Sequence, residues 1–155
     1  MLFLSSGTKL PLTDCEKSKL RKAKVKISEI HTFSKEQIVQ MLDVSVERAK
    51  ILKGLADFQS VPSIGPKLAE RLVFKLNIFS LSEIKAKDAG ELFDELEKKS
   101  GVWIDSCVED QIRCVINFSN NLDSSKQWFD FTEDRKAYRD KVGFPKNRPI
   151  KAWYE

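Results

Sequence analysis

Residues Val61 to Leu72 read VPSIGPKLAERL, and this short stretch decides how the helices around it are joined. Pro62, Gly65 and Pro66 lie within five positions of one another. A proline fixes its own φ angle, and proline also suits the first position of a helix. The stretch therefore predicts a tight turn that ends at Gly65, followed at once by a helix that begins at Pro66.

Helix signals on both sides of this turn predict an all-α protein. Candidate N-caps, most of them followed three residues later by Glu or Gln, occur at six positions. They are Ser34, Asp43, Ser80, Asp88, Ser106 and Thr132. Gly101 and Gly143 are candidate helix ends. No stretch alternates apolar and polar residues as a half-buried strand does, so we expect five to seven short helices.

The turn resembles that of the helix-hairpin-helix motif, which usually reads hydrophobic-Pro-Gly-hydrophobic-Gly. Val61, Pro62, Ser63, Ile64 and Gly65 occupy these positions, with serine where the first glycine is usual. We therefore expect a compact bundle of short helices built around a single helix-hairpin-helix motif.

A turn that runs straight into a helix is a candidate phosphate site. The first helical amides have no partner inside the helix, and the helix dipole adds partial positive charge there. The candidate phosphate-binding residues are Ser63, Ile64, Gly65, Lys67 and Arg71. Lys67 and Arg71 lie four positions apart and so share a helix face. Such a site contacts the DNA backbone and predicts binding without sequence preference, whereas the alternative is a purely structural corner.

Ser63 is the departure that matters for this interpretation. If the position requires a positive φ, serine costs about 1 kcal/mol relative to glycine. Either the turn adopts another conformation, or the strain is tolerated. The Ser63 hydroxyl is also a candidate donor to a phosphate oxygen.

A basic segment near the start of the chain is the candidate second contact with DNA. The chain has 155 residues and a net charge of +4, which permits an anionic partner without identifying one. Residues 17–26 contain six basic residues and no acid. Either this segment is simply solvated, or it contacts phosphates. The auxiliary basic residues are Lys19, Arg21, Lys22, Lys24 and Lys26.

Three segments are expected along the chain. Residues 1–33 form a partly disordered basic arm, residues 34–122 form the helical domain, and residues 123–155 form an aromatic tail packed on that domain. The last segment contains seven of the fifteen aromatic residues. They are Trp128, Phe129, Phe131, Tyr138, Phe144, Trp153 and Tyr154. These rings either cover a small core or stack on the bases of a single strand.

A wider resemblance covers roughly residues 56–155. The segments GVWIDSCVEDQIRCVINFSNN, KQWFDFTEDRKAYR and RPIKAWYE are similar to a small bacterial family labelled pathogenicity locus. That label implies no known chemistry. The helix-hairpin-helix class implies DNA binding, with DNA repair, recombination or uptake as candidate processes, and a monovalent cation on the turn carbonyls. The alternative is a non-catalytic adaptor that meets a protein partner through its aromatic tail.

An acidic cluster offers a weaker alternative, a metal-dependent nuclease. Asp105, Glu109 and Asp110 lie close together in the sequence, with Arg113 nearby. However, a cap at Ser106 accounts for Glu109, and Asp110 can pair with Arg113 three positions later. We therefore expect no metal site and no enzymatic activity, since no catalytic set converges.

The cysteines favour a reducing compartment. Cys15, Cys107 and Cys114 form no CxxC pair, and the chain has a single histidine, so zinc binding is not indicated. We expect Cys107 and Cys114 to serve as small core residues. With neither a signal peptide nor an apolar run of membrane-spanning length in the sequence, the expectation is a cytoplasmic protein without a membrane partner or an organic cofactor.

Overall fold

A computed structural model of the protein describes residues 7–155, and the first six residues of the expected arm lie outside this range. Within residues 7–155, eight α-helices follow one another. They are α1 (Asp14–Ala23), α2 (Lys35–Leu42), α3 (Val46–Gln59), α4 (Pro66–Glu70), α5 (Leu81–Ile84), α6 (Ala89–Ser100), α7 (Cys107–Asn121) and α8 (Thr132–Val142).

Short irregular helical turns complete the architecture. A π-helical turn, Arg71–Lys75, continues α4, and 3-10 turns occupy Ile27–Thr32 and Trp128–Phe131. Residues 7–155 contain no strand, only a single bridge between Trp103 and Ala152. The expected all-α, compact fold is therefore confirmed.

Helix α3 joins two apolar clusters. The smaller cluster brings α1 and α2 onto one side of α3. Its buried members are Leu20, Ile30, Ile38, Leu42, Ala49, Leu52 and Ala56. The larger cluster begins at Leu55 and Phe58 and includes most of the buried residues that follow. A Cβ at Gly54 would lie 2.9 Å from the carbonyl oxygen of Phe79, so glycine allows α3 to approach that loop closely.

Part of the segment expected to be an arm is folded. Thr13 and Glu16 form a capping box at the start of α1, and Leu20 is buried. Glu16 is also buried and accepts two hydrogen bonds from the Arg48 guanidinium on α3. Helix α1 is thus tied to the smaller cluster by apolar and ionic contacts. The boundary near residue 33 stays a prediction.

Half of the predicted N-caps are confirmed. The side chains of Ser34, Ser80 and Asp88 each accept a hydrogen bond from the amide three residues later. The candidate at Asp43 is wrong, because Asp43 adopts a left-handed conformation at the end of α2 and Ser45 caps α3 instead.

Neither Ser106 nor Thr132 caps a helix with its side chain, although Ser106 does occupy the N-cap position of α7. Ser106 has a helical backbone, and the Asp105 carboxylate accepts the Cys107 amide at 2.8 Å. Thr132 already lies inside α8 and donates its hydroxyl to Asp110 at 2.9 Å. At the start of α7 a neighbouring carboxylate, the stronger acceptor, takes the role that the local pattern assigned to a hydroxyl, whereas no side chain caps α8. Gly101 and Gly143 end α6 and α8 as predicted.

Candidate nucleic-acid interface

Apolar side chains anchor the α3–α4 turn, residues 61–65, to the core of the protein. Val61 and Ile64 are buried, as is Leu68 in the helix that follows. The Val61 amide donates to the Phe58 carbonyl at 3.2 Å, and the Ile64 amide donates to the Val61 carbonyl at 3.1 Å. Because these anchors point into the core, the other side of the turn faces outward.

Ser63 adopts a positive φ, the conformation in which serine is strained relative to glycine. Its φ is 67°, in the left-handed region that glycine adopts without cost. The Ser63 hydroxyl accepts a hydrogen bond from the Trp128 amide at 2.9 Å. It also lies close enough to the Cys114 thiol to influence its pKa. The hydroxyl therefore connects the turn to the segment after α7, where a glycine would make no contact.

The backbone of Gly65 is accessible from solvent. It is exposed, its φ of −102° is ordinary extended backbone, and a Cβ there would meet nothing within 4 Å. No side chain caps the helix that begins after it. Among residues 7–155, neither the Gly65 amide nor the Lys67 amide has a hydrogen-bond acceptor. The amide of Ile64, another candidate phosphate-binding residue, is by contrast already engaged by the Val61 carbonyl.

Two basic side chains belong to the helical segment that follows Gly65. Lys67 is exposed, and Arg71 is half-buried. Within the described part of the chain neither forms an ion pair. By contrast, five other arginines each pair with a carboxylate; they are Arg48, Arg113, Arg135, Arg139 and Arg148. Lys67 and Arg71 therefore differ from these five arginines in having no carboxylate within ion-pair distance among residues 7–155.

The auxiliary basic residues lie in α1 or directly after it. Lys19 donates to the Leu42 carbonyl at 3.1 Å and lies 3.7 Å from the Asp43 carboxylate. Lys24 ends α1 in a left-handed conformation. Arg21, Lys22 and Lys26 are exposed. None of the hydrogen bonds or ion pairs of these residues within 7–155 reaches the α3–α4 turn.

Sequence reasoning missed a basic residue that does lie near the turn. The backbone of Lys9 exchanges two hydrogen bonds with the Gln59 side chain, at 2.9 and 2.8 Å. Gln59 is the last residue of α3, only two positions before Val61. Lys9 and Gln59 are fifty positions apart, so no local pattern could have indicated their contact.

The acidic cluster is structural, and both pairings expected there are wrong. Glu109 is fully buried and accepts hydrogen bonds from Arg139 at 3.0 Å and Arg113 at 3.2 Å. Burial raises the pKa of the Glu109 carboxyl, and the two arginines oppose that shift. Asp110 binds Arg135 at 2.9 Å rather than Arg113. Within residues 7–155 no group of three or more His, Cys, Asp or Glu side chains could hold a metal ion.

The cysteines do not form a reactive pair. All three are free, and Cys114 is buried, as expected of a core residue, whereas Cys107 is half-buried. Burial raises the pKa of both the Cys107 and the Cys114 thiol to about 11. A thiol with such a pKa remains protonated at neutral pH and is a poor nucleophile.

The carbonyl groups of the turn do not single out a cation site. The Val61 and Gly65 carbonyl oxygens already accept hydrogen bonds from Ile64 and Ala69, and the Pro62 carbonyl faces the Cys114 thiol at 3.9 Å. The monovalent cation stays an implication of the resemblance alone.

Comparison with known proteins identifies the family. The family model described as pathogenicity locus matches residues 52–137, more than half of the chain. The protein therefore belongs to the pathogenicity locus family. The match begins in α3, includes the whole α3–α4 turn and ends within α8. No curated protein and no solved structure matches the chain.

Between residues 7 and 155, no helix combines the length and the apolar character needed to cross a membrane.

Proposed function

We propose that this protein binds DNA without sequence preference, by holding backbone phosphates at a helix-hairpin-helix formed by α3 and α4. The observation that carries the proposal is the exposed start of α4. There, two amides without acceptors lie beside two basic side chains without ion pairs, among residues 7–155.

Each part of this surface suits a phosphate oxygen. The Gly65 and Lys67 amides are donors whose approach no side chain blocks. Lys67 supplies a mobile charge, and Arg71, one turn later, reaches the same or the next phosphate. None of these groups distinguishes one base from another, so the proposed binding depends on charge rather than on sequence. The proposal assigns the protein no catalytic step.

The test is DNA binding measured by fluorescence anisotropy across a salt series, with two duplexes of unrelated sequence. We expect similar affinities for both duplexes and a steep loss of affinity with salt, because binding releases counterions. Lys67→Glu is expected to weaken binding to both duplexes equally and to lower the salt slope by about 1. Gly65→Asp places a carboxylate in the open space at the start of α4 and is expected to abolish binding.

A matched charge reversal provides the control. Lys98 is exposed near the end of α6 and, within the described residues, has no ion pair. Lys98→Glu changes the net charge by the same amount as Lys67→Glu and should leave most of the affinity intact. If Lys98→Glu and Lys67→Glu weaken binding equally, the binding is a property of net charge and the hairpin proposal fails. Circular dichroism of each variant verifies that the helices are retained.

Exposed apolar residues near the end of the chain favour a second candidate function, that of a protein-interaction adaptor. Ile150 is 94% exposed, and Trp153 and Tyr154 are more than half exposed. Apolar side chains that are close in sequence and open to solvent are typical of a surface that a protein partner covers. If the protein binds no DNA at low salt, this candidate becomes the leading one.

A further inference from the structure

We propose that Phe129 stacks on an unpaired base beside the phosphate held at the α3–α4 turn, so that the preferred ligand is DNA in which duplex adjoins single strand. This inference rests on the proposed function and specifies its substrate class.

The position of Phe129 follows from the contact made by Ser63. The Trp128 amide donates to the Ser63 hydroxyl at 2.9 Å, although the two residues are sixty-five positions apart. Trp128 begins the 3-10 turn Trp128–Phe131, and Phe129 is the next residue. Phe131, at the other end of that turn, is buried in the larger cluster. The short turn is therefore held at both ends, and its exposed residue directly follows the one whose amide contacts Ser63.

The 3-10 turn is rigid enough to present a ring. The Gln127 amide donates to the Asp130 carboxylate at 2.8 Å, which closes the start of the turn. The same contact engages the one acidic side chain of the segment. Trp128 and Phe129 pack at right angles, with ring centroids 5.7 Å apart. A ring supported in this way loses little conformational entropy when a base stacks on it.

The two aromatic rings differ in what they contact. Trp128 is half-buried and packs against the larger cluster, whereas Phe129 is 57% exposed. Phe129 therefore contributes little to the core, and its exposed face is available to a ligand. Lys126, three residues earlier, is exposed and has no ion pair among residues 7–155. An exposed aromatic ring with a basic residue close to it in sequence is typical of surfaces that bind single-stranded nucleic acid.

The two sites together favour a junction over either form of DNA alone. The amides of the turn bind phosphate in any conformation of the backbone, but Phe129 can stack only on a base that has left the duplex. Stacking of one base on an aromatic side chain is worth a factor of roughly ten in affinity. We therefore expect duplex DNA with a single-stranded overhang to bind about tenfold more tightly than blunt duplex of the same length.

The experiment compares blunt duplex, single strand and duplex with an overhang in the anisotropy assay. Phe129→Ala should remove the preference for the overhang and leave binding to blunt duplex unchanged. Phe129→Trp should retain the preference, because a larger ring stacks at least as well. Phe74→Ala is the matched control: Phe74 is 53% exposed, but it lies nine residues after Gly65, about 13 Å along the helix.

The outcomes separate this inference from the proposed function. Absence of binding to every DNA overturns both. Binding to blunt duplex that Lys67→Glu weakens, without a preference for the overhang, supports the hairpin and overturns the role of Phe129. The same holds if Phe129→Ala keeps the preference, or if Phe74→Ala removes it equally.

Discussion

Helix α4 and helix α8 are attached to the protein by contacts of opposite kinds. The segment formed by α4 and its π-helical continuation buries Leu68, Ala69, Leu72 and Val73. Helix α8 has eleven residues and buries none of them. Apolar packing is non-directional and tolerates small shifts. Ion pairs, in contrast, depend on each partner, because a buried charge that loses its partner is strongly destabilising.

Arg139 is the centre of the α8 attachment. Its guanidinium donates to Glu109 at 3.0 Å and to Asp94 at 2.9 Å, and to the Gly90 carbonyl at 3.3 Å. The same group lies 4.1 Å from the centre of the Phe144 ring. One side chain thus connects α8 to α6, to α7 and to the segment that follows α8. We therefore expect the loss of Arg139 to loosen α8 and to leave the α3–α4 turn in place.

Arg139→Met is expected to have the largest effect. It leaves the Asp94 and Glu109 carboxylates without their main partner and should lower the free energy of unfolding by about 4 kcal/mol. Urea denaturation measures the loss. Limited proteolysis should show new cleavage between residues 132 and 142 before any cleavage in α3 or α4.

The control for Arg139→Met is Lys136→Met on the same helix. Lys136 pairs with Glu133 at the surface, at 3.4 Å, and both side chains are more than half exposed. Its removal should change the free energy of unfolding by less than about 1 kcal/mol. Equal effects of the two variants would contradict a special role for the buried pairs.

Leu72→Ala tests the apolar attachment and is expected to have the next largest effect. Leu72 is fully buried, so its truncation leaves a cavity and should cost about 3 kcal/mol. Because no charge is involved, the loss should be the same at low and at high salt. Leu122→Ala serves as the control, since Leu122 is 73% exposed and its truncation should be nearly neutral. If the loss of unfolding free energy caused by Leu72→Ala depended strongly on salt, the apolar attachment of α4 would be contradicted.

Substitutions of Ser63 are expected to have the smallest effect on stability, and two of them should differ in a way that reports backbone strain. Ser63→Ala keeps the strained backbone and removes the acceptor of the Trp128 amide, which should cost about 1 kcal/mol. Ser63→Gly removes the same acceptor but also removes the strain of a positive φ, about 1 kcal/mol in the opposite direction, so its net effect should be close to zero. Thermal denaturation of both variants measures the difference. Equal stabilities would show that the backbone at this position is not strained.

Local features of the fold were predictable from the sequence. The caps at Ser34, Ser80 and Asp88 follow from a spacing of three residues, which is one helical turn. Contacts across the fold were not predictable in this way. Glu109 and Arg139 are thirty positions apart, and their pairing invalidates the local interpretation that assigned Glu109 to a cap at Ser106.

The candidate site shows the same division. Its turn, its basic residues and the question of a positive φ at Ser63 could be predicted, because each depends on a few neighbouring residues. The positions of Lys9 and of the 3-10 turn that carries Phe129 could not be predicted. They depend on contacts of Lys9 with Gln59 and of Trp128 with Ser63, between residues at least fifty positions apart.

The sequence by itself determined an all-α protein with a tight turn at residues 61–65 and a helix that begins at Pro66. Proline fixes its own φ, glycine permits backbone conformations that other residues avoid, and the apolar spacing defines which face of each helix is buried. Only the tertiary structure decided that the Ser63 hydroxyl holds Trp128 and that arginines on α8 neutralise Glu109 and Asp110. Such partners are selected by how the helices pack together, and packing brings together residues that no local spacing relates.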